Sequence, residues 1–378
     1  MNDKPARRSV LLGSAAALGA SSLGAMQLRE IRTACIGVGN RGQSLLRQVL
    51  AKENVPVAAV CEIDAGKRDR AAGLASRFNP RVFSDYRNIV DLKDVEAVII
   101  ATPCDLHAEM AAACLDAGKY VYCEKPLGIY PQEVDRVLKA ERRSKVFLQI
   151  GQQMRYWPWL QGAVPHIHSG LIGKVLLIKA QRHSPALPPG GKESLPEWYH
   201  DVKRSGDRIV ENGVHNLDVC NWIAGSLPVA AFGFGKVYLP NPEPAGTHYM
   251  DGYSVMYQYQ NEINLTYSEA LLHPRGLKEL AGGQWYAVFG EKGTVMIKRS
   301  SALFYEMQST GEPRELLTPA QQDVKEDAMG DFYASIRENR RPFADIRVGA
   351  TAALTTMMGR QAIYEKRMVT WKELKVPV

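Results

Sequence analysis

The chain has 378 residues, of which 46% are hydrophobic, a length and an apolar content that usually give two domains with a sizeable core. Its formal net charge of +7 belongs partly to the first 26 residues, and the sequence has no basic run with interleaved aromatic residues, so nucleic-acid binding is not indicated. Neither Cys-x-x-Cys nor His-Glu-x-x-His occurs, and His166-x-His168 has no matching carboxylate or thiol cluster, so we assign no metal site.

Residues 1–26 have the character of a signal peptide. The pair Arg7-Arg8 precedes a weakly apolar stretch of Ala, Gly, Leu and Ser that ends near Gly24-Ala25, a pattern that resembles a twin-arginine export signal. This stretch is too short and too rich in glycine to span a membrane, so we predict no stable membrane anchor. We expect export of the folded protein to the periplasm. The alternative is a disordered cytosolic tail with two accidental arginines, and no clean Ala-x-Ala marks a cleavage site.

A glycine-rich turn follows directly, with Gly37, Gly39 and Gly42 spaced as G-x-G-x-x-G and with Asn40-Arg41 inside it. An apolar run with strand character precedes this turn, and a helical pattern follows it. In this strand–turn–helix context the glycines permit a tight turn, close approach of a pyrophosphate, and packing of the helix on the strand. The unpaired N–H groups at the start of the helix then favour the negative phosphates. The motif predicts a dinucleotide site.

The next predicted strand, Val57–Cys61, ends at Glu62, which lies about 20 residues beyond Gly42, the spacing expected of the acidic residue that binds the adenosine ribose. A carboxylate there accepts hydrogen bonds from the ribose hydroxyls and repels a 2′-phosphate. The cofactor is therefore predicted to be NAD. Lys67 and Arg68 lie close enough in sequence to leave NADP open.

Two further apolar strands each end in a polar motif. Glu96–Ala101 runs into Thr102-Pro103 and then His107, and Tyr120–Cys123 runs into Glu124-Lys125-Pro126. Strands that alternate with helical patterns are typical of a doubly wound parallel sheet with helices on both faces, the Rossmann arrangement, which we predict for residues 29–150. The helical patterns in question are Ala65–Phe78, Ala108–Ala117 and Pro131–Ser144.

With these motifs the sequence resembles the glucose–fructose oxidoreductase and inositol dehydrogenase family, also written Gfo/Idh/MocA. The resemblance covers nearly the whole chain after the leader and is specific for the family, although it does not specify a substrate. Its elements are the glycine turn, Ala101-Thr102-Pro103…His107, Glu124-Lys125-Pro126, Gly151-Gln152…Arg155-Tyr156, Gly170…Gly173, His215…Asp218 and Trp222…Gly225.

The resemblance implies a second α/β domain, residues 151–378, with a large and mostly antiparallel sheet. In this family the exposed face of that sheet often pairs subunits, so a homo-oligomer is expected. Turn signals such as Gln260-Asn261 separate several of the candidate strands. These strands are Lys174–His183, Ala230–Tyr238, Gly252–Gln260, Ile263–Leu271, Gln284–Gly290 and Gly293–Lys298, and Asp345–Tyr364 is predicted to be a long final helix.

The resemblance also implies the roles of the site residues. It assigns Lys125 and His215 to the proton side of hydride transfer, with Lys125 holding the substrate oxygen and His215 taking the proton. On one helix, Glu211, His215 and Asp218 would project from a single face, where Asp218 would position the histidine or a substrate hydroxyl. Many family members have Asp at the position of Glu211, which leaves the role of this longer carboxylate open. The cofactor contacts expected are Gly37, Gly39, Asn40, Arg41, Gly42, Glu62, Thr102, Pro103, His107, Glu124, Lys125 and Gln152.

Arg155, Tyr156 and Trp157 follow the first domain at a point that should face the cleft. Aromatic faces and hydrogen-bond donors suit a sugar or cyclitol, which presents C–H patches between hydroxyls, so we predict that these three residues bind the substrate. The alternative is core packing, which we favour for the neighbouring Trp159.

The sequence therefore predicts an exported NAD-dependent dehydrogenase that acts on a secondary hydroxyl of a sugar, glycoside or cyclitol. A rival is a glycoside-cleaving enzyme that uses its bound nucleotide transiently, through a 3-keto intermediate, which would suit a periplasm without free NAD. An alternative of another class is a non-catalytic sugar-binding protein with a vestigial nucleotide. Loss of Lys125 or His215 would have favoured that alternative, and both are present.

Overall fold

The structure, a computed structural model, describes residues 28–185, 196–239, 250–274, 277, 283–318 and 327–378. The proposed signal peptide, residues 1–26, lies outside the described residues. No helix in these ranges is long and apolar enough to cross a membrane.

The first sheet has six parallel strands in the order β3-β2-β1-β4-β5-β6. This is the doubly wound order that the alternation of strands and helices predicts, and the order reverses between β1 and β4. Both of these strands are buried along their whole length because helices cover both faces of the sheet. The strands are β1 (Thr33–Ile36), β2 (Val57–Cys61), β3 (Arg81–Phe83), β4 (Ala97–Ile100), β5 (Tyr120–Cys123) and β6 (Leu148–Ile150).

Five helices connect these strands. Local capping explains several of their starts: Asp64 accepts a hydrogen bond from the amide of Lys67 at the start of α2, and Pro131, which needs no amide partner, begins α5. The helices are α1 (Asn40–Leu50), α2 (Ala65–Leu74), α3 (Arg87–Asp91), α4 (His107–Asp116) and α5 (Pro131–Arg143).

The second sheet has nine strands in the order β14-β13-β12-β11-β7-β10-β9-β8-β15, and among its described strands only β7 and β10 pair in parallel. The six strands predicted from sequence are confirmed with close bounds, whereas β13, β14 and β15 were not predicted. The strands are β7 (Val175–Pro185), β8 (Pro228–Lys236), β9 (Gly252–Tyr259), β10 (Asn264–His273), β11 (Gly283–Gly290), β12 (Gly293–Lys298), β13 (Ser301–Glu306), β14 (Arg314–Glu315) and β15 (Val369–Thr370).

The helices of the second half pack mainly on one face of this sheet, and the other face is exposed. From Tyr253 to the end of β9 buried and exposed residues alternate, as expected for a strand with one solvated face. The helices are α6 (Pro158–His168), α7 (Glu197–His200), α8 (Val202–Ser205), α9 (Arg208–Glu211), α10 (Val214–Ala224), α11 (Ala328–Glu338) and α12 (Ile346–Glu365).

The prediction that residues 29–150 form the first domain by themselves needs a correction. Helix α11 returns to the first sheet, where Phe332 and Tyr333 join the core that contains β1 and α1. The hydroxyl of Tyr333 also donates to Thr33 Oγ1 at 3.2 Å. A late segment of the chain therefore completes the packing of the nucleotide-binding sheet, because the apolar face of that sheet would otherwise remain uncovered there.

Candidate functional site

The glycine turn lies between β1 and α1 with the geometry that a dinucleotide requires. Gly37 has φ +77°, a left-handed conformation that favours glycine, and a Cβ on Gly42 would lie 1.9 Å from the carbonyl oxygen of Gly37. A Cβ on Gly39, by contrast, would meet no protein atom within 4 Å. The first and third glycines thus serve the turn itself, and the backbone at the second is open to a phosphate.

The start of α1 adds to this fit. The helix begins at Asn40 without a side-chain cap and has no acidic residue in its first turn, so its first amides and its dipole favour an anion. Behind the turn, the carboxylate of Glu62 accepts a hydrogen bond from the amide of Val38 at 2.9 Å. Glu62 therefore lies at the end of β2 beside the glycine turn, where a ribose-binding carboxylate is expected.

Arg41 and Glu124 form an ion pair beside the turn, with Nε donating to Oε1 at 2.6 Å. Arg41 also donates to Gln153 Oε1 at 2.8 Å, a contact that the sequence did not predict. Glu124 is buried against Gly151, where a Cβ would lie 2.9 Å from its carboxylate. The pair connects α1 to the end of β5, so Glu124 holds Arg41 in place, and its direct contact with the cofactor stays a prediction.

The predicted cofactor contact of His107 needs a correction, because the side chain is only 1% exposed. Its two ring nitrogens lie 2.8 Å from the carbonyl oxygen of Pro126 and 2.9 Å from that of Thr102. His107 therefore joins the two polar motifs at the ends of β4 and β5 and acts as a positioning residue. Thr102 and Pro103 remain half-buried beside the glycine turn, and Thr102 Oγ1 is a buried polar atom with no hydrogen-bond partner among the described residues.

Lys125 reaches from the end of β5 to the second domain. Its Nζ donates to Glu211 Oε1 at 2.5 Å and to the backbone carbonyl of Glu211 at 2.6 Å, and both side chains are nearly buried. Burial lowers the pKa of Lys125, but the Glu211 carboxylate outweighs burial and raises this pKa above its ordinary value. Lys125 is therefore held as an ammonium ion that can donate a hydrogen bond to a substrate oxygen.

The prediction of one helix through Glu211, His215 and Asp218 is wrong. Helix α9 ends at Glu211, and α10 begins at Val214. At Gly213, between the helices, a Cβ would lie 2.4 Å from the hydroxyl oxygen of Tyr253, so the chain there passes too close to the sheet for a larger residue. The break lets Glu211 turn towards Lys125 while His215 stays in the first turn of α10.

His215 is buried, and its Nδ1 has no hydrogen-bond partner among the described residues. Burial, together with the positive charges of Lys125, Arg182 and Arg41, lowers the pKa of His215 well below its ordinary value. The ring is therefore neutral at neutral pH and can accept a proton, which is what a general base requires.

Asp218 was predicted to position His215 or a substrate hydroxyl, but its only hydrogen-bond partner among the described residues is Arg155. Its carboxylate accepts two hydrogen bonds from Arg155, at 2.9 Å from Nε and 2.8 Å from Nη2, and the side chain is 1% exposed. The guanidinium also lies 5.2 Å from the ring centre of Trp222. This buried two-point ion pair fastens the segment after β6 to α10, and Asp218 is therefore a structural residue.

The three residues predicted to bind substrate are placed differently from one another. Nε and Nη2 of Arg155 are engaged by Asp218, and the hydroxyl of Tyr156 donates to Asp331 at 2.7 Å, so these groups already have protein partners. Trp157 packs on Trp159 with the ring centres 4.7 Å apart, and its contact with substrate stays a prediction. Gln152 is buried, and its Oε1 has no hydrogen-bond partner within the described ranges, so an acceptor remains there for a ligand.

One half-buried cation near this site was not predicted. Arg182 lies in β7, on the same face as Ile178 and Ala180, and its charge contributes to the lowered pKa of His215. An arginine at the strand position that follows the inward-facing Ile178 and Ala180 by the two-residue period is the signal that could have identified it.

Comparison with known proteins agrees with this geometry. Residues 31–152 match the model of an oxidoreductase family with an NAD-binding Rossmann fold, and residues 163–296 match the Gfo/Idh/MocA C-terminal domain. The two segments together make up more than half of the chain. The chain belongs to the Gfo/Idh/MocA oxidoreductase family. Its first domain is an NAD-binding domain, as predicted.

Curated relatives include inositol 2-dehydrogenase of Salmonella paratyphi B, which is 30% identical over 237 residues, 62% of this chain and 66% of the relative. Inositol 2-dehydrogenase 2 of Saccharopolyspora erythraea is 34% identical over 199 residues, 52% of this chain and 54% of the relative. The chain thus matches less than two thirds of the length of these relatives.

Solved structures share the whole fold. Levoglucosan dehydrogenase in complex with NADH and levoglucosan has a TM-score of 0.78 at 19% identity, and the match covers 93% of this chain and all of the other. An oxidoreductase domain protein from Kribbella flavida has a TM-score of 0.80 at 20% identity, covering 92% of this chain and all of the other.

Proposed function

We propose that this protein oxidises a secondary hydroxyl of a sugar or cyclitol with NAD. The observation that carries the proposal is the meeting of Lys125, Glu211 and a neutral His215 at the end of β5, beside the glycine turn. The similarity to an inositol dehydrogenase and to a levoglucosan dehydrogenase supports this substrate class.

The residues of the chain divide the chemistry between them. The glycine turn, the start of α1 and Glu62 would hold NAD, which would supply the hydride acceptor. The Lys125 ammonium donates a hydrogen bond to the substrate oxygen and stabilises negative charge that develops on it. His215 accepts the hydroxyl proton as the C–H hydride leaves, so one alcohol and one NAD⁺ give one carbonyl, one NADH and one proton.

The test is NADH formation by the purified protein with a panel of cyclitols, free sugars and glycosides. We expect the absorbance of NADH to rise with at least one of these substrate classes and mass spectrometry to detect the carbonyl product. The rise in absorbance should be lost in Lys125→Ala and His215→Ala. Release of aglycone without net NADH would overturn the proposal in favour of cleavage through a keto intermediate. Binding of sugar with no conversion in any class would overturn it in favour of a binding protein.

We also propose that the protein is exported through the twin-arginine route. The support is the Arg7-Arg8 pair ahead of a weakly apolar stretch, together with a bound-nucleotide fold that needs to be complete before export. Replacing both arginines by lysine should leave the full-length precursor in the cytoplasm. Normal periplasmic accumulation of that variant would contradict this route.

We further propose a homo-oligomer paired through the exposed face of the second sheet. Three apolar side chains on the adjacent strands β8 and β9 are exposed: Phe232 (38%), Phe234 (65%) and Met256 (56%). The ring centres of the two phenylalanines lie 5.1 Å apart. Contiguous apolar side chains of this kind mark interaction surfaces, and a second copy would cover them by sheet-on-sheet packing. Phe234→Lys should lower the molecular mass measured by light scattering, and an unchanged mass would place the interface elsewhere.

A further inference from the structure

Arg182 lies on the inner face of the second sheet, close to the start of α10. Its neighbours across the sheet are Glu269 in β10 and Gln284 in β11. Glu269 lies directly below Gly213, where a Cβ would be 3.3 Å from its carboxylate. Arg182 therefore lies in the central strand of the sheet, beside the residue that packs against the α9–α10 break.

Hydrogen bonds connect the same region to Asn216 in the first turn of α10. Gln284 Nε2 and Asn216 Nδ2 both donate to the hydroxyl of Tyr286, each at 2.9 Å. Asn216 follows His215 directly in α10. The side-by-side position of Arg182 and Gln284 thus places the guanidinium within reach of a ligand that contacts His215, and its charge contributes to the lowered pKa of this histidine.

Arg182 differs from the other cations around the site because it lacks a carboxylate partner among the described residues. Each of the others has a carboxylate partner: Lys125 with Glu211, Arg155 with Asp218, Arg41 with Glu124, and Arg208 with Glu269. Arg182 has no ion-pair partner among the described residues, and its Nη1 is buried without a hydrogen-bond partner in the same part of the chain. Arg182 is half-buried, and a guanidinium whose Nη1 is buried without a hydrogen-bond partner is costly, so a bound anion would relieve that cost.

We propose that Arg182 is a specificity-determining residue that binds a carboxylate of the substrate, which makes the preferred substrate an acidic sugar of the uronic or aldonic acid class. This inference rests on the proposed dehydrogenase function. A guanidinium matches a carboxylate through two parallel hydrogen bonds, and the single uncompensated positive charge matches a monoanion. A neutral sugar would leave that charge unpaired.

Matched pairs of substrates test the proposal, each pair consisting of a neutral sugar and the acid that differs from it only by a carboxylate. We expect the wild-type protein to prefer the acid in kcat/KM. Arg182→Gln should lower kcat/KM for the acid roughly tenfold to a hundredfold, mainly by raising KM. The same variant should have little effect on kcat/KM for the neutral sugar. Arg182→Lys, which keeps the charge, should retain part of the preference. Lys179→Gln removes one positive charge from the exposed face of the same strand and should change neither value.

Two further measurements keep the test independent of turnover. Calorimetry of the protein–NADH complex should show acid binding that Arg182→Gln weakens by the same factor, and the acid limb of the pH–rate profile should move to higher pH because a charge that lowers the His215 pKa is lost. An equal loss on acidic and neutral sugars, a preference for sugar phosphates, or no acid preference in the wild type would overturn the proposal. If no sugar is oxidised, the dehydrogenase proposal fails, and calorimetry still decides whether Arg182 binds the acid.

Discussion

Lys125 of the first domain donates to both the carboxylate and the backbone carbonyl of Glu211, the last residue of α9 in the second domain. One side chain thus sets the position of the proposed reacting oxygen relative to both domains. Because the carboxylate keeps Lys125 charged, and because that charge in turn helps to keep His215 neutral, the three residues act as one electrostatic unit.

Loss of either proton-handling residue should slow turnover strongly. We expect His215→Ala and Lys125→Ala each to lower kcat by roughly 10²–10⁴-fold, the usual contribution of positioned acid–base groups, with NAD affinity largely intact. Both act on one oxygen, so the double variant should lose less than the product of the two factors. Steady-state kinetics and nucleotide titration check this, and near-normal turnover in both single variants would move the chemistry to other residues.

Removal of the Glu211 charge should change the pH dependence. Burial lowers the pKa of Lys125, and without the Glu211 carboxylate only Cys104 and Glu124 still oppose that effect, so the pKa falls. The ammonium form is the one that holds the substrate oxygen, so in Glu211→Gln the alkaline limb of kcat/KM against pH should move to lower pH. Glu211→Asp keeps the charge and serves as the control. An alkaline limb at the same pH in wild type and Glu211→Gln would rule out this role.

Glu62 should determine the choice between NAD and NADP. Replacement by Ser removes a carboxylate that repels the 2′-phosphate of NADP. Arg68 Nη1 lies 2.7 Å from the carbonyl oxygen of Glu62, where it can bind that phosphate. Hydrogen bonds to charged groups contribute about 1.5–3 kcal/mol, so the ratio of the two dissociation constants should change roughly tenfold or more towards NADP.

Glu62→Gln is the matched variant for this measurement, because it keeps an acceptor for the amide of Val38 and so preserves the turn while it removes the charge. Fluorescence titration with NADH and NADPH gives the two constants. Equal changes for both nucleotides would assign Glu62 to the turn alone.

The Arg155–Asp218 pair should matter for stability. Asp218→Asn leaves the buried guanidinium without its counter-charge, which typically costs about 3–5 kcal/mol. The exposed pair of Arg143 and Asp116 provides the control, since Asp116→Asn should leave stability unchanged within error. Urea unfolding measures both variants, and a small effect of Asp218→Asn would show that the arginine finds water or another partner.

Local pattern was enough to predict the nucleotide-binding half. The glycine turn, the apolar strands and Glu62 are all specified within short stretches, because a parallel strand buried on both faces and a turn that needs left-handed glycine each leave a signature in the residues themselves. The six strands of the second sheet that alternate inward and outward residues were likewise predicted with close bounds.

Tertiary structure alone decided which polar groups meet. The helix is interrupted at Asn212-Gly213 because the chain passes close to Tyr253 there. Gly213 and Tyr253 are 40 residues apart in the sequence, so the helical periodicity around Gly213 carries no sign of this contact. Other contacts between distant residues are equally absent from the local sequence pattern. They are the pairing of Asp218 with Arg155, the hydrogen bonds of His107 to two backbone carbonyl groups, and the packing of α11 on the first sheet. Sequence therefore determined the fold class and the residue types of the site, and the packing of distant segments determined the partner of each charge.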